Sequence, residues 1–468
     1  MNRTLLIISL AVINNFVLAQ YNRCDCKLVY NDLIEKLEDN YIGLEHIKAL
    51  NQYTTYEKRK TEFSEITTNT NSSNCTKVLQ EFLSYFEDGH LFVYESPKYP
   101  ETEIEQIKKS IKDGKVSISA ILKMVEFEKE WKEKNGLDGI IGKWTDGEST
   151  IAIVKDQGFY KAYVINSTLN TVEPGELKAQ FVSSKKGFEG TYYTYEYSPK
   201  FVEGNIYKDG SLLVFTGAKY WKKINEFTSS SGKDIILPTI QKLDAQNTLI
   251  SIPSFMVEYQ KFNQILFENI DLLKNTTNLI IDIRGNVGGN GIYFALINAY
   301  FTQSLPSTQG HVLSSEQTKI YFEKLAKNSP GIYGPVVERI KTNSGAIVDG
   351  PEYPAFTFEP FESKIKNVAI LTDKGSMSAA ESFIIHSKQA SSKVKTFGAP
   401  TGGVIDYTSV NTLKLNSGNQ NIYFGYPTST LHKNIPKEGY NKTGIIPDVP
   451  IKDQVNEKIQ FIVNYYKN

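Results

Sequence analysis

Ser378 stands in the run KGSMSAAESF, after the apolar stretch NVAILTD (367–373) and at the head of the amphipathic stretch SAAESFIIHSKQA. Strand, turn and helix in that order place a hydroxyl at the carboxyl edge of a sheet, where helix N–H groups stabilise developing negative charge. The chemistry that suits such a hydroxyl is nucleophilic attack on a carbonyl. The same residues have a purely structural reading, because Ser378 with Glu381 makes an S-x-x-E capping box.

A second element is IIDIRGNVGG, an apolar strand that ends at Asp282–Arg284 and opens into Gly285-Asn286-Val287-Gly288-Gly289. Paired glycines let a backbone approach a ligand and turn amide hydrogens inward, as an oxyanion hole requires. The run is neither G-x-G-x-x-G nor G-x-x-x-x-G-K-[ST], so neither a dinucleotide fingerprint nor a phosphate loop is present. A tight packing turn is the alternative.

A serine nucleophile needs a base, and the chain has 5 histidines. His386 sits eight residues along the helix that Ser378 opens, about 12 Å up its axis, which is out of reach. His46 falls in a helical pattern, while His311 and His432 lie in polar loops. His90 follows Gly89 between helical residues and the apolar run Leu91-Phe92-Val93, the best placement of the five. For the orienting carboxylate the candidates are Glu438, in PKEGYNKTGIIPDVP, with Asp88 and Glu381 as rivals; Asp448 reads as the holder of a local turn. The carboxylates and histidines form neither H-E-x-x-H nor another compact ligand set, so no metal and no cofactor is expected.

These groups must be positioned by a chain of 468 residues, enough for two or three domains. With 40% hydrophobic and 12% aromatic residues it can fill their cores, and 52 basic residues balance 52 acidic ones. Such balance offers no broad basic footprint for nucleic acid. Asn2-Arg3, the apolar run Leu5–Ile13 and Val17-Leu18-Ala19 read as a signal peptide over 1–19, so an exported, periplasmic or extracellular protein without a membrane span in the mature chain is expected. In an oxidising compartment Cys24, Cys26 and Cys75 allow one bridge, tying the mature N-terminus to the segment near Cys75.

Residues 20–135 read as a helical region, from the three- and four-residue spacing in LVYNDLIEKLEDN, VLQEFLSYF and IEQIKKSIKDG. Residues 136–235 read as a small antiparallel β-barrel-like or lipocalin-like domain, with β-branched and aromatic runs between Gly, Asp and Asn turns. An aromatic-lined ligand groove is one use of its tyrosines and tryptophans; ordinary sheet packing is the other. Residues 236–468 alternate strand-like and helix-like pieces, the pattern of an α/β domain with a buried, partly parallel sheet.

FEDGHLFV (86–93), TLISIPSF (248–255), NLIIDIRGNVGG (278–289), the block from NVAILTD through GSMSAAE to FGAPTGGVIDY, and EGYNKTGIIPDVPI resemble, in this order, the S41 serine peptidases. That family contains the C-terminal processing proteases and the tricorn-like proteases. The resemblance implies a ClpP/crotonase-like α/β catalytic domain, with Ser378 as nucleophile, Gly288, Gly289 and Ala379 around the oxyanion, and a peptide or protein substrate. The processing branch carries a lysine where this chain has Thr401-Gly402-Gly403-Val404, with Lys393 and Lys395 lying before the turn. The tricorn-like branch uses an N-terminal histidine, matched by His90, and a late glutamate, matched most nearly by Glu438. It also places a serine before the histidine, where this chain has Gly89. No PDZ module is evident between the histidine region and the α/β domain. The expected activity is therefore that of an exported serine endopeptidase or carboxyl-terminal-type peptidase; the alternatives are a peptide- or ligand-binding protein on the same scaffold and a serine esterase.

Overall fold

The computed structural model describes residues 24–135, 139–184, 187–217, 219–224, 234–359, 361–452 and 457–467; the expected signal peptide lies outside them. The chain divides into two compact units. One runs to Phe86 and includes Leu91–Lys98 and Val410–Pro427, and the other comprises Glu87–His90, Tyr99–Ser409 and the chain from Thr428 onward.

In the first unit the three- and four-residue spacing becomes helices Cys26–Asn40, Ile42–Ala49, Tyr53–Thr68 and Ser72–Leu83. Val29, Leu33, Phe63, Leu79 and Phe82 share one buried cluster. Asp25 caps the first helix by accepting the Lys27 and Leu28 N–H groups, and Asn71 caps the fourth by accepting that of Asn74. A disulfide joins Cys26 to Cys75, and Cys24 is a free thiol. Strand Phe92–Glu95 pairs antiparallel with residues 422–425.

The second unit begins its regular structure with helices Glu101–Asp113 and Ile118–Asn135. These two helices fall within the helical region expected over 20–135, but their apolar faces belong to the barrel. Ile107 and Ile111 enter the barrel's core cluster, and Ile121 and Val125 pack on Ala152, Val154 and Tyr163. The barrel has eight antiparallel strands and closes where Lys143 of the first faces Ile224 of the last. Trp144, Ile153, Phe181, Phe215 and Trp221 fill its interior, as suits a barrel of this strand number.

The α/β part is a six-stranded sheet in the order Thr239–Lys242, Asn247–Ser251, Asn278–Asp282, Asn367–Thr372, Val394–Gly398 and Val449–Pro450. The first pairing is antiparallel and the rest are parallel. Alternate residues of the central strands face opposite layers. Leu279, Ile281, Val368 and Ile370 pack with Phe262 and Phe383, whereas Ile280, Ala369, Leu371 and Phe397 pack with Ile462 and Val463. Burial on both faces explains why these strands read as continuous apolar runs. Among the described residues no helix is long and apolar enough to cross a membrane.

Candidate active site

Strand Asn367–Thr372 passes through a tight turn into helix Ala379–Ala390, and Asp373 organises that turn. Its Oδ1 accepts the N–H groups of Gly285 (2.9 Å) and Gly375 (2.8 Å). The Ser376 hydroxyl donates to the Ile283 carbonyl at 2.9 Å, and the Met377 N–H donates to the Asn286 carbonyl at 3.0 Å. Three of these bonds lace the serine turn to the glycine turn, and the Gly375 bond closes the serine turn on itself. Ser378 takes φ 53° and ψ −116°. An L-residue held there costs of order 1–3 kcal/mol, which the surrounding bonds must supply.

The His90 Nε2 lies 3.1 Å from the Ser378 Oγ, and its Nδ1 lies 2.7 Å from the Tyr407 carbonyl oxygen. A carbonyl only accepts, so Nδ1 carries the proton and Nε2 presents its lone pair to the hydroxyl. Upstream, Asp88 holds the turn by accepting the His90 N–H at 2.9 Å. Burial lowers the His90 pKa below the ordinary histidine value, against the opposing pull of the Tyr407 carbonyl and the Glu381 charge. Burial thus favours the neutral ring.

A Cβ added to Gly89 would stand 2.7 Å from the Val404 Cγ2. This gives the departure at position 89 a steric reason: Val404 occupies the space that a serine would need.

Glu381 is fully buried and collects four donors. Oε1 accepts from the Thr401 hydroxyl (2.5 Å) and the Gly403 N–H (2.9 Å); Oε2 accepts from the N–H groups of Val404 (2.8 Å) and Ser378 (2.9 Å). Burial raises its pKa, and the four donors pull it back down. The Ser378 N–H bond is the glutamate half of the capping box, while the Ser378 hydroxyl meets His90. The glutamate half of the cap and the histidine contact coexist because they use different atoms of the serine.

Glu438 is not brought to His90. It is exposed, and its Oε2 accepts from the Asn434 side chain at 3.1 Å. The motif around it reaches the site through backbone instead. The N–H groups of Tyr440 (2.5 Å) and Asn441 (2.9 Å) donate to Asp406, and Asn441 Oδ1 accepts from Ile405 and Asp406. These bonds fix the segment that presents the Tyr407 carbonyl.

The remaining candidates have other partners. His386 stands 3.0 Å from the Tyr293 hydroxyl, His432 accepts the Asn434 N–H, and His311 lies 3.8 Å from Asp349. Asp448 accepts from the N–H and hydroxyl of Thr396 and pairs with Lys388.

Gly288 and Gly289 have φ of 104° and 136°, open only to glycine without strain. A Cβ on Gly288 would stand 2.9 Å from the Ser378 Cβ and 3.0 Å from the Ala379 nitrogen, so this turn lies directly against the serine. Of the three residues expected around the oxyanion, Gly288 has its amide engaged. The Gly288 N–H already donates to Asn286 Oδ1 at 2.9 Å. Those of Gly289 and Ala379 donate to no other group among the described residues.

Residues 247–451 match the model of Peptidase family S41. A search of curated proteins gives no match. Among solved structures, the chain is similar to a serine-to-alanine mutant of CPAF at 11% identity and a TM-score of 0.50, over 94% of this chain and 96% of that one. It is also similar to a lipoprotein from Streptococcus agalactiae (13% identity, TM-score 0.38, 95% and 96% covered). A third similarity is to the tricorn protease (11% identity, TM-score 0.41), over 94% of this chain and 36% of that one. The CPAF likeness concerns the fold alone. The matched segment 247–451 holds Ser378 and the glycine turn, and His90 lies outside it.

Proposed function

We propose that this chain is an exported serine peptidase that cleaves peptide or protein substrates through an acyl-enzyme. The observation that carries the reading is the 3.1 Å approach of His90 Nε2 to Ser378 Oγ at the head of a helix. The His90 Nε2 takes the hydroxyl proton as Oγ attacks the scissile carbonyl. Nδ1–H stays on the Tyr407 carbonyl, which has the orienting role expected of a carboxylate, and the buried Glu381 charge favours the imidazolium that forms. The Ala379 and Gly289 amides receive the oxyanion, each donor contributing on the order of 3 kcal/mol at the transition state. His90 then protonates the leaving amine, and water repeats the sequence to free the acyl group.

The histidine-using, tricorn-like arrangement is favoured because Thr401–Val404 wraps Glu381 and delivers no lysine to Ser378. A ClpP/crotonase-like relationship of the sheet belongs to the same reading. Export is supported by the leader-like residues 1–19 and the Cys26–Cys75 bridge. Hydrolysis of a quenched peptide library by the purified chain and by Ser378→Ala tests the reading. Turnover only by the unaltered chain is expected, and turnover retained in folded Ser378→Ala would contradict it.

A further inference from the structure

The barrel contains a buried lysine whose amine is left without a hydrogen bond. Strand Leu177–Ser184 pairs with strand Phe159–Ser167 through a bulge: Ala162 faces Ala179, but Tyr163 faces Leu177, which leaves Lys178 as the extra residue. A bulge re-aims the side chain it carries. Lys178 is only 2% exposed, and its Nζ has no hydrogen-bond partner among the described residues. That amine sits 3.3 Å from the Tyr195 ring centre and 4.7 Å from that of Tyr192. Lys219 places its own Nζ 3.8 Å from the Tyr192 ring centre.

Tyr192, Tyr195 and Lys219 line a cavity of about 720 Å³ together with Asp146, Glu148 and Glu258, and its apolar wall includes Trp221, Ile236 and Met256. Lys178 meets this cavity through the two tyrosine rings its amine touches. The nearby carboxylates leave Lys178 unanswered. Asp146 accepts from the Tyr195 hydroxyl and from the N–H groups of Glu148 and Ser149. Glu176 Oε2 accepts from the Tyr197 hydroxyl, and its Oε1, buried without a hydrogen bond, lies 3.8 Å from Lys115. A buried amine with no acceptor, beside a second one on the same aromatic ring, is costly unless an anion completes the site.

We propose that the mouth of the barrel is a second binding site, taking a small apolar or aromatic carboxylate whose anionic end pairs with Lys178 and Lys219 and whose body lies against Trp221, Ile236 and Met256. A free carboxylic acid and the carboxyl end of a peptide share this chemistry. Burial and the charge of Lys219 push Lys178 down to about 7, opposed by Asp146, Glu148 and Glu176, while burial pushes Tyr192 and Tyr195 up and out of the range. A bound anion draws a proton onto Lys178, so affinity falls as the pH rises through and above that value.

The test is calorimetric titration of the full chain carrying Ser378→Ala, so that binding is read apart from any turnover. The probes are 4-phenylbutyrate, its amide, and acetyl-Ala-Ala-Phe as free acid and as C-terminal amide. Both acids are expected to bind at least tenfold more tightly than their amides, with proton uptake near neutral pH and weakening above it. The tighter of the two acids identifies the source. Lys178→Met, which removes a buried unpaired amine at similar volume, is expected to fold and to lose at least tenfold in acid affinity. If it does not fold, Lys219→Met is expected to lose affinity severalfold. Acids binding no better than amides, no binding at millimolar concentration, or acid affinity unchanged in the folded lysine variant would each overturn the proposal.

Discussion

The imidazole of His90 touches the Ser378 Oγ through Nε2 at 3.1 Å and the Tyr407 carbonyl through Nδ1 at 2.7 Å. One contact sets what the ring can accept, and the other sets which nitrogen keeps the proton. A backbone carbonyl does the second task, and in the proposed mechanism it stands where a carboxylate was expected.

Glu438 should therefore be dispensable. It is exposed and accepts from the Asn434 side chain, whereas the His90 ring meets Ser378 and Tyr407. Glu438→Gln is expected to keep kcat/KM within about twofold and stability within about 0.5 kcal/mol, as for ordinary surface changes. Steady-state hydrolysis and thermal unfolding check this; a hundredfold loss of rate would restore the carboxylate to the mechanism.

The pH dependence follows from the direction of the His90 shift. Its pKa is lowered by burial, so the active neutral form persists to lower pH than for an ordinary histidine, and the acid limb of kcat/KM should fall below pH 6.5. The Glu381 charge raises the His90 pKa, so Glu381→Gln should move that limb further down. The amide also turns a donor toward one of four converging donors, at a stability cost of roughly 1–3 kcal/mol. A limb that moves upward in the variant would contradict this electrostatic role.

Gly89 and Val404 should behave as a coupled pair. Gly89→Ser is expected to lower stability by about 1–3 kcal/mol through overpacking against Val404, and Val404→Ala should make room for it. A double-mutant cycle on unfolding free energies reads the coupling. Additive effects would mean that Val404 is not the obstacle.

Gly288 allows no side chain. Gly288→Ala combines a positive φ with a Cβ at 2.9 Å from that of Ser378, so it should displace the serine or the glycine turn. A fall in kcat on the order of a hundredfold or more is expected, the size of losing one oxyanion donor. Near-normal turnover in a folded variant would mean that this turn does not shape the site.

Much of this site was legible in the sequence because its parts are local. The glycine turn, the strand-to-helix serine and the Gly-His turn each announce themselves by residue type within ten positions. The barrel likewise follows from alternating aromatic and β-branched runs between turn residues. Tyr407 was not legible, since its contribution is a carbonyl that any residue possesses. Asn286 was missed as the acceptor of the Gly288 N–H because a side chain two residues upstream looks like any turn residue. Glu438 was chosen for its charge and its motif, yet that motif serves the site through the N–H groups of Tyr440 and Asn441. Helices Glu101–Asp113 and Ile118–Asn135 were placed with the wrong neighbours because periodicity reveals an apolar face and not the core that receives it.

The most direct measurement is labelling of the purified chain by a fluorophosphonate probe, with the modified peptide mapped and Ser378→Ala and His90→Ala compared. Modification of Ser378 that disappears in Ser378→Ala and falls by orders of magnitude in His90→Ala is expected. A folded chain that is not labelled, or that is labelled at Ser378 equally well without His90, would contradict the proposed nucleophile and base.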